Sequence, residues 1–149
     1  KMIAVVQRCL EASVEIHNKV YNKIGKGLVV LLGIKKGDDE SNIQKLSQKI
    51  LDLRIFNDEK GVMNLSVKDI NGELLIISQF TLCADNNKSG NRPSYILDEV
   101  PEKSKPMYEH FLRNTGILYD SKKIKEGVFG ADMKVKLIND GPVTIILER

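Results

Sequence analysis

Residues 12–17 read Ala12-Ser13-Val14-Glu15-Ile16-His17, apolar and polar side chains in strict alternation, the period of a strand with one buried face. Turn-forming residues follow at 18–25, so the stretch belongs to an antiparallel opening. Residues 2–6 supply a strand ahead of it, and residues 28–34 form a nearly continuous apolar run suited to a strand buried on both faces. Three strands therefore open the fold.

Beyond them, Ser41 stands three residues before Gln44, a capping-box spacing. Ile43, Leu46, Ile50 and Leu53 then recur at helical intervals and predict a first helix. Residues 56–71 are polar and turn-rich and lead to an apolar strand at 73–77. A polar loop at 85–92 is punctuated by Pro93. Tyr108, Phe111 and Leu112 mark a second amphipathic helix that starts near Ser104 or Pro106 and stops at Gly116. Met133, Val135 and Leu137 alternate with Lys134 and Lys136. After the turn Asn139-Asp140-Gly141-Pro142, residues 143–147 close the chain as an apolar strand. Hairpin-joined strands with two helices predict an α+β fold, a single domain over residues 1–149 with a largely antiparallel, barrel-like sheet and two main helices.

The composition narrows the chemistry. No apolar stretch approaches the roughly 20 residues of a membrane-spanning helix, and residues 2–6 are too few for a secretory apolar region. A cytoplasmic protein is expected. Cys9 and Cys83 are too few and too far apart for a disulfide framework or a four-ligand zinc site, so neither metal nor cofactor is expected. A net charge of +3 decides nothing by itself. The positive residues gather at Lys122, Lys123 and Lys125, at Lys134 and Lys136, and around Lys88 and Arg92. Each cluster suits either solvated surface or a face that meets phosphates.

His17 falls on the polar face of an early strand and His110 on a helix flank. Neither has a catalytic neighbour in sequence, and both read as structural. Cys83 has no basic partner to lower its pKa and reads as a small core hydrophobe. Two segments are unusual for purely structural service. In Ser78-Gln79-Phe80-Thr81-Leu82-Cys83-Ala84, hydroxyl, amide and aromatic groups gather at the exit of a buried strand. In Asn139-Asp140-Gly141-Pro142-Val143-Thr144, a Gly-Pro pair introduces a strand that should otherwise begin with a donor. A strand-end cap and a turn remain alternative readings of the two.

Taken together, these motifs make the sequence resemble the D-aminoacyl-tRNA deacylase family, which carries Ser-Gln-Phe-Thr-Leu and Asn-x-Gly-Pro-Val-Thr at this separation. The similarity extends over almost the whole chain. It takes in Gln7-Arg8, Leu32-Gly33, Leu53-Arg54-Ile55-Phe56, Met63-Asn64, Gly90-Asn91-Arg92-Pro93-Ser94 and Phe129-Gly130-Ala131-Asp132-Met133. Two departures stand out: Lys1 precedes Met2, where the family starts on Met, and Asn87-Lys88-Ser89 replaces a more basic segment.

The resemblance implies a homodimer that hydrolyses the ester of D-aminoacyl-tRNA. In it, Gly141-Pro142, with a cis peptide bond, projects into the other subunit's pocket. Its carbonyl oxygens accept from the substrate ammonium and leave no room for an L side chain. Achiral glycine escapes that exclusion, so glycyl-tRNA, including glycine mischarged on tRNA(Ala), is an expected substrate. Phe80 and Thr81 are the implied catalytic residues through backbone N–H groups that stabilise the oxyanion. Water, helped by the terminal ribose 2′-hydroxyl, is the implied nucleophile, since a threonine hydroxyl without a base is poorly activated. Ser78 and Gln79 would shape the carbonyl side, Phe129 and Met133 the slot for the 3′-terminal adenine, and Arg8 would fix the Gly-Pro carbonyls. The expected partners are the acceptor end of aminoacyl-tRNA and a second copy of the chain, with no membrane and no DNA. Two alternatives stay open. One is a sister deacylase acting on L-alanyl-tRNA, against which Phe80 and Arg8 argue; the other is a non-catalytic nucleic-acid binder with the lysines as its footprint.

Overall fold

The computed structural model describes residues 1–87 and 90–149. The strands are β1 Ile3–Ile16, β2 Lys19–Ile24, β3 Gly27–Gly33, β4 Phe56–Asn57, β5 Met63–Leu65, β6 Glu73–Ser78, β7 Ile124–Glu126 and β8 Lys134–Glu148. Two helices, α1 Glu40–Asp52 and α2 Pro101–Leu118, complete the regular structure. Lys88 and Ser89, singled out above in the polar loop, lie outside the described residues.

The main sheet runs β2-β1-β3-β6-β7, with β8 also paired to β1. β1 is antiparallel to β2, β3 and β8, whereas β3 with β6 and β6 with β7 are parallel. The expectation of a largely antiparallel, barrel-like sheet therefore holds, with a parallel pair at its centre. Burial explains that centre. Leu28, Val30, Leu32, Leu74 and Ile76 face one core, shared with Ile43, Leu46 and Ile50 of α1 and Tyr108 and Phe111 of α2. Val29, Leu75 and Ile77 face a second core, packed against Met133, Val135 and Leu137. β3 and β6 are thus covered on both sides, which their unbroken apolar runs require. Each fully buried Leu or Ile contributes roughly 1.5–3 kcal/mol. The polar end of Tyr108 is satisfied by donating to the Ile76 carbonyl at 2.7 Å.

Several boundaries differ from those the sequence suggests. The strands at 2–6 and 12–17 are one strand, β1, and most of the supposed turn at 18–25 is β2. The reversal is confined to His17 and Asn18, both at positive φ, so His17 sits in a hairpin turn and not on a strand face. α1 is capped by Asp39 and not by Ser41: the Asp39 side chain accepts from Ser41 N–H, and Asn42 reaches back to the Asp39 N–H. α2 begins at Pro101, several residues before Ser104 or Pro106, and continues past Gly116. Proline at its first position needs no hydrogen-bond donor there. The supposed turn at residues 139–142 does not reverse the chain. It interrupts β8, which pairs with β1 on both sides of it.

Candidate active site

β6 carries the apolar run outward to Ser78, where the backbone leaves the extended form at Gln79 and enters a 3₁₀ turn, Phe80–Cys83. Two inward contacts hold this turn. Gln79 N–H donates to the Leu32 carbonyl at 2.7 Å, and the buried Cys83 thiol lies 3.6 Å from the Ile34 carbonyl. Burial pushes that thiol up to about 11, and Cys9 likewise, so neither is an activated nucleophile. With Cys83 anchored inside, Phe80 and Thr81 point outward, and the Phe80 ring is 52% exposed. The edge of Phe80 meets Tyr95 at 5.1 Å between ring centroids. The Thr81 hydroxyl accepts from Gln79 Nε2 at 2.6 Å, a donor that cannot take a proton. Among the described residues, the N–H groups of Phe80 and Thr81 have no hydrogen-bond partner.

Ser78, Gln79 and Phe80 form one wall of a cavity of about 450 Å³. Phe129 and Met133 line the same cavity, Phe129 tilted against Tyr108 at 6.0 Å between ring centroids. Gly127 allows Met133 to close in, because a Cβ there would lie 2.6 Å from Met133 Sδ. Asp98, Glu99, Pro101 and Ser104, around the start of α2, also line it, as does Asp132. Burial pushes the Asp98 carboxyl above the ordinary carboxylate range. The volume and the mixture of apolar walls with few polar groups suit a small-molecule moiety, roughly 300–1,000 Å³ being usual.

A second cluster sits on β8. Gln7 pairs with Thr144 and Cys9 with Asn139, so Asp140 to Val143 bulge out opposite the single residue Arg8. The Asn139 side chain closes the bulge, accepting from Val143 N–H at 2.8 Å and donating to Thr144 Oγ1 at 3.0 Å. Arg8 is only 6% exposed. Its Nε donates to the Asp140 carbonyl at 2.9 Å, and its Nη1 to the Ile55 carbonyl at 2.8 Å and Asn57 Oδ1 at 3.3 Å. Gly141 has φ of +132°, and a Cβ on it would lie 2.9 Å from Arg8 Nη2. The Gly141–Pro142 bond is cis, and both residues are exposed.

The structure therefore gathers Ser78, Gln79, Phe80, Phe129 and Met133 around one cavity, with Thr81 beside it. Arg8, Gly141 and Pro142 form a separate cluster that does not border it. The carbonyl that Arg8 holds is that of Asp140, one residue before the Gly-Pro pair. Sequence reasoning missed Tyr95 and the wall from Asp98 to Ser104. Recognising Pro101 as the first residue of α2 would have brought that wall into view. Among the described residues, no group of three or more His, Cys, Asp and Glu side chains is placed to hold a metal ion, and no helix is long and apolar enough to cross a membrane.

A sequence model of the family described as D-Tyr-tRNA(Tyr) deacylase matches residues 5–148. The chain belongs to the D-Tyr-tRNA(Tyr) deacylase family. Among similar proteins, the D-aminoacyl-tRNA deacylase of Flavobacterium psychrophilum is 54% identical over 147 residues, 99% of this chain and 97% of that protein. The Porphyromonas gingivalis protein of the same name is 52% identical over the same shares. A solved structure described as c-Myc DNA Unwinding Element Binding Protein superposes with a TM-score of 0.94 at 42% identity, covering 99% of this chain and 98% of that one. A second, described as a probable eukaryotic D-amino acid tRNA deacylase, reaches 0.83 at 14% identity and shows that the deacylase-family fold is shared.

Proposed function

We propose that this chain is a carboxylic ester hydrolase that removes D-amino acids from tRNA, acting in the cytoplasm as a homodimer. The observation that carries this reading is the full-length similarity to D-aminoacyl-tRNA deacylases, combined with a cavity bordered by the strand-end motif and bare of its own Gly-Pro pair. The Gly141-Pro142 bulge is exposed and does not border the cavity of its own chain. A second copy supplies it. Its carbonyls then accept from the substrate ammonium, and the space left for the α-carbon excludes an L side chain.

The terminal adenine stacks on Phe129, with Met133 beside it. Ser78 and Gln79 hold the carbonyl side. The free N–H groups of Phe80 and Thr81 donate to the oxyanion as water attacks. The Thr81 hydroxyl is bonded to an amide and has no base, so the terminal ribose 2′-hydroxyl assists the attacking water instead.

A deacylation assay with paired substrates tests this. D-tyrosyl-tRNA is expected to be hydrolysed, L-tyrosyl-tRNA spared, and glycyl-tRNA, including glycine on tRNA(Ala), hydrolysed to a measurable degree. Faster hydrolysis of L-alanyl-tRNA than of D-tyrosyl-tRNA would assign the sister activity. A second reading, nucleic-acid binding without chemistry, draws on the 42% identical structure described as a DNA element binding protein. It requires salt-sensitive binding of uncharged RNA or DNA with no ester hydrolysis.

A further inference from the structure

Three depressions adjoin one another along α2. Phe129 borders both the site cavity and a second hollow of about 390 Å³, which Tyr21, Lys105 and Arg113 also line. Arg113 borders in turn a third hollow of about 640 Å³ that reaches Ile117 and Lys125. The track follows β7, which lies at one end of the main sheet. Tyr21 presents a ring that is 48% exposed. Lys105, Arg113 and Lys125 form no ion pair among the described residues. Glu109 and Glu126 line the same track and are outnumbered by these three cations; Lys122 and Lys123 follow in sequence on Ser121, which lines the third hollow.

Resting on the deacylase reading above, we propose that this groove carries the single-stranded 3′ end of the tRNA upstream of its terminal adenosine. The argument is continuity and charge. A strand whose last base occupies the slot beside Phe129 leaves it at the point where the second hollow begins. Along that exit lie one exposed aromatic face and three cations without ion-pair partners among the described residues, the combination that binds single-stranded nucleic acid by stacking and by phosphate contact. A protein partner would use the apolar exposure of Ile117 but would leave the cations without counterparts. The groove adds affinity for the RNA and takes no part in the chemistry at the ester.

The test compares three substrates that reach progressively further along the groove: D-tyrosyl-adenosine, a D-tyrosyl trinucleotide ending in cytidine-cytidine-adenosine, and D-tyrosyl-tRNA. The intact protein is compared with the double variant Arg113→Glu, Lys125→Glu and with Tyr21→Ala. For the double variant, KM on the trinucleotide and on the tRNA is expected to rise about tenfold or more, with kcat kept and a flatter dependence of KM on salt. Tyr21→Ala is expected to raise the same KM values by about fivefold or more through lost stacking. Hydrolysis of D-tyrosyl-adenosine is expected to be unchanged in both variants, which also shows that they fold. Equal losses on D-tyrosyl-adenosine overturn the groove, as does a loss seen on the tRNA but not on the trinucleotide, which would move the contact to the paired stem. If the unmodified protein hydrolyses none of the three, the deacylase reading itself fails and the groove goes with it.

Discussion

The end of β6 and the middle of β8 are both interruptions of a strand, and they are built in opposite senses. At the end of β6, Gln79 N–H and the Cys83 thiol bond inward to the carbonyls of Leu32 and Ile34, so the turn folds over the core and leaves a concavity beside it. In β8 a buried guanidinium and the Asn139 amide hold the bulge from behind, so Gly141 and Pro142 project into solvent. One interruption receives and the other is presented. On the function proposed above, positioned backbone groups take the place of titratable side chains in a small domain with two histidines.

The comparison breaks most readily at Arg8. Arg8→Ala leaves the carbonyls of Ile55 and Asp140 without their donor, at a cost of about 3 kcal/mol, and slackens the bulge. A urea titration is expected to show that loss, and deacylation is expected to fall further than stability alone explains. Gly141→Ala places a Cβ 2.7 Å from Val143 Cγ2 at a φ that L residues rarely adopt, costing about 1–3 kcal/mol. The expected signature is reduced hydrolysis of D-tyrosyl-tRNA with D-tyrosyl-adenosine still able to bind at the cavity, measured by competition.

Smaller effects sharpen the receiving side. Phe129→Ala removes the proposed stacking face and is expected to raise KM for D-aminoacyl-tRNA about tenfold, with a more modest fall in kcat. Thr81→Ala removes an exposed hydroxyl and should shift stability by less than about 0.5 kcal/mol. Substantial turnover is expected to survive; its complete loss with binding intact would make Thr81 the nucleophile.

Asp98 supplies the smallest effect. Its folded pKa lies above its unfolded value, so its contribution to stability is present in acid and is lost as pH rises through the folded pKa. Asp98→Asn is therefore expected to melt above the unmodified protein at pH 7, the gap closing towards pH 4. A gap that persists in acid would refute burial as the cause.

Much of the centre was legible because two-sided burial leaves a plain trace: β3 and β6 are apolar at nearly every position. β1 was not, because its middle inverts the usual pattern. Arg8 points into the protein and Leu10 out of it, 6% and 49% exposed, and no periodicity foretells a buried arginine. The joint in β8 misled for a related reason. Asn-Asp-Gly-Pro is a turn by local chemistry, and only the pairing of both flanks with one strand makes it a bulge. At the site, the resemblance directed attention to Ser78 through Thr81 and to Gly141-Pro142, while the Asp98 wall stayed hidden. That wall depends on where α2 starts, and its first turn has no side-chain cap to announce it.

The pairing of β1 with β8 also sets an order of events during synthesis. β1 precedes β8 in the chain and leaves the ribosome before this partner is made, and the pairing is extended by reciprocal bonds between Met2 and Arg149 at 2.9 and 3.0 Å. Until residues 134–148 leave the ribosome, one whole edge of a 14-residue strand stands open to any chain nearby. Nascent copies on one messenger are the nearest such chains, so the interval before β8 arrives is when mispairing between copies is most costly.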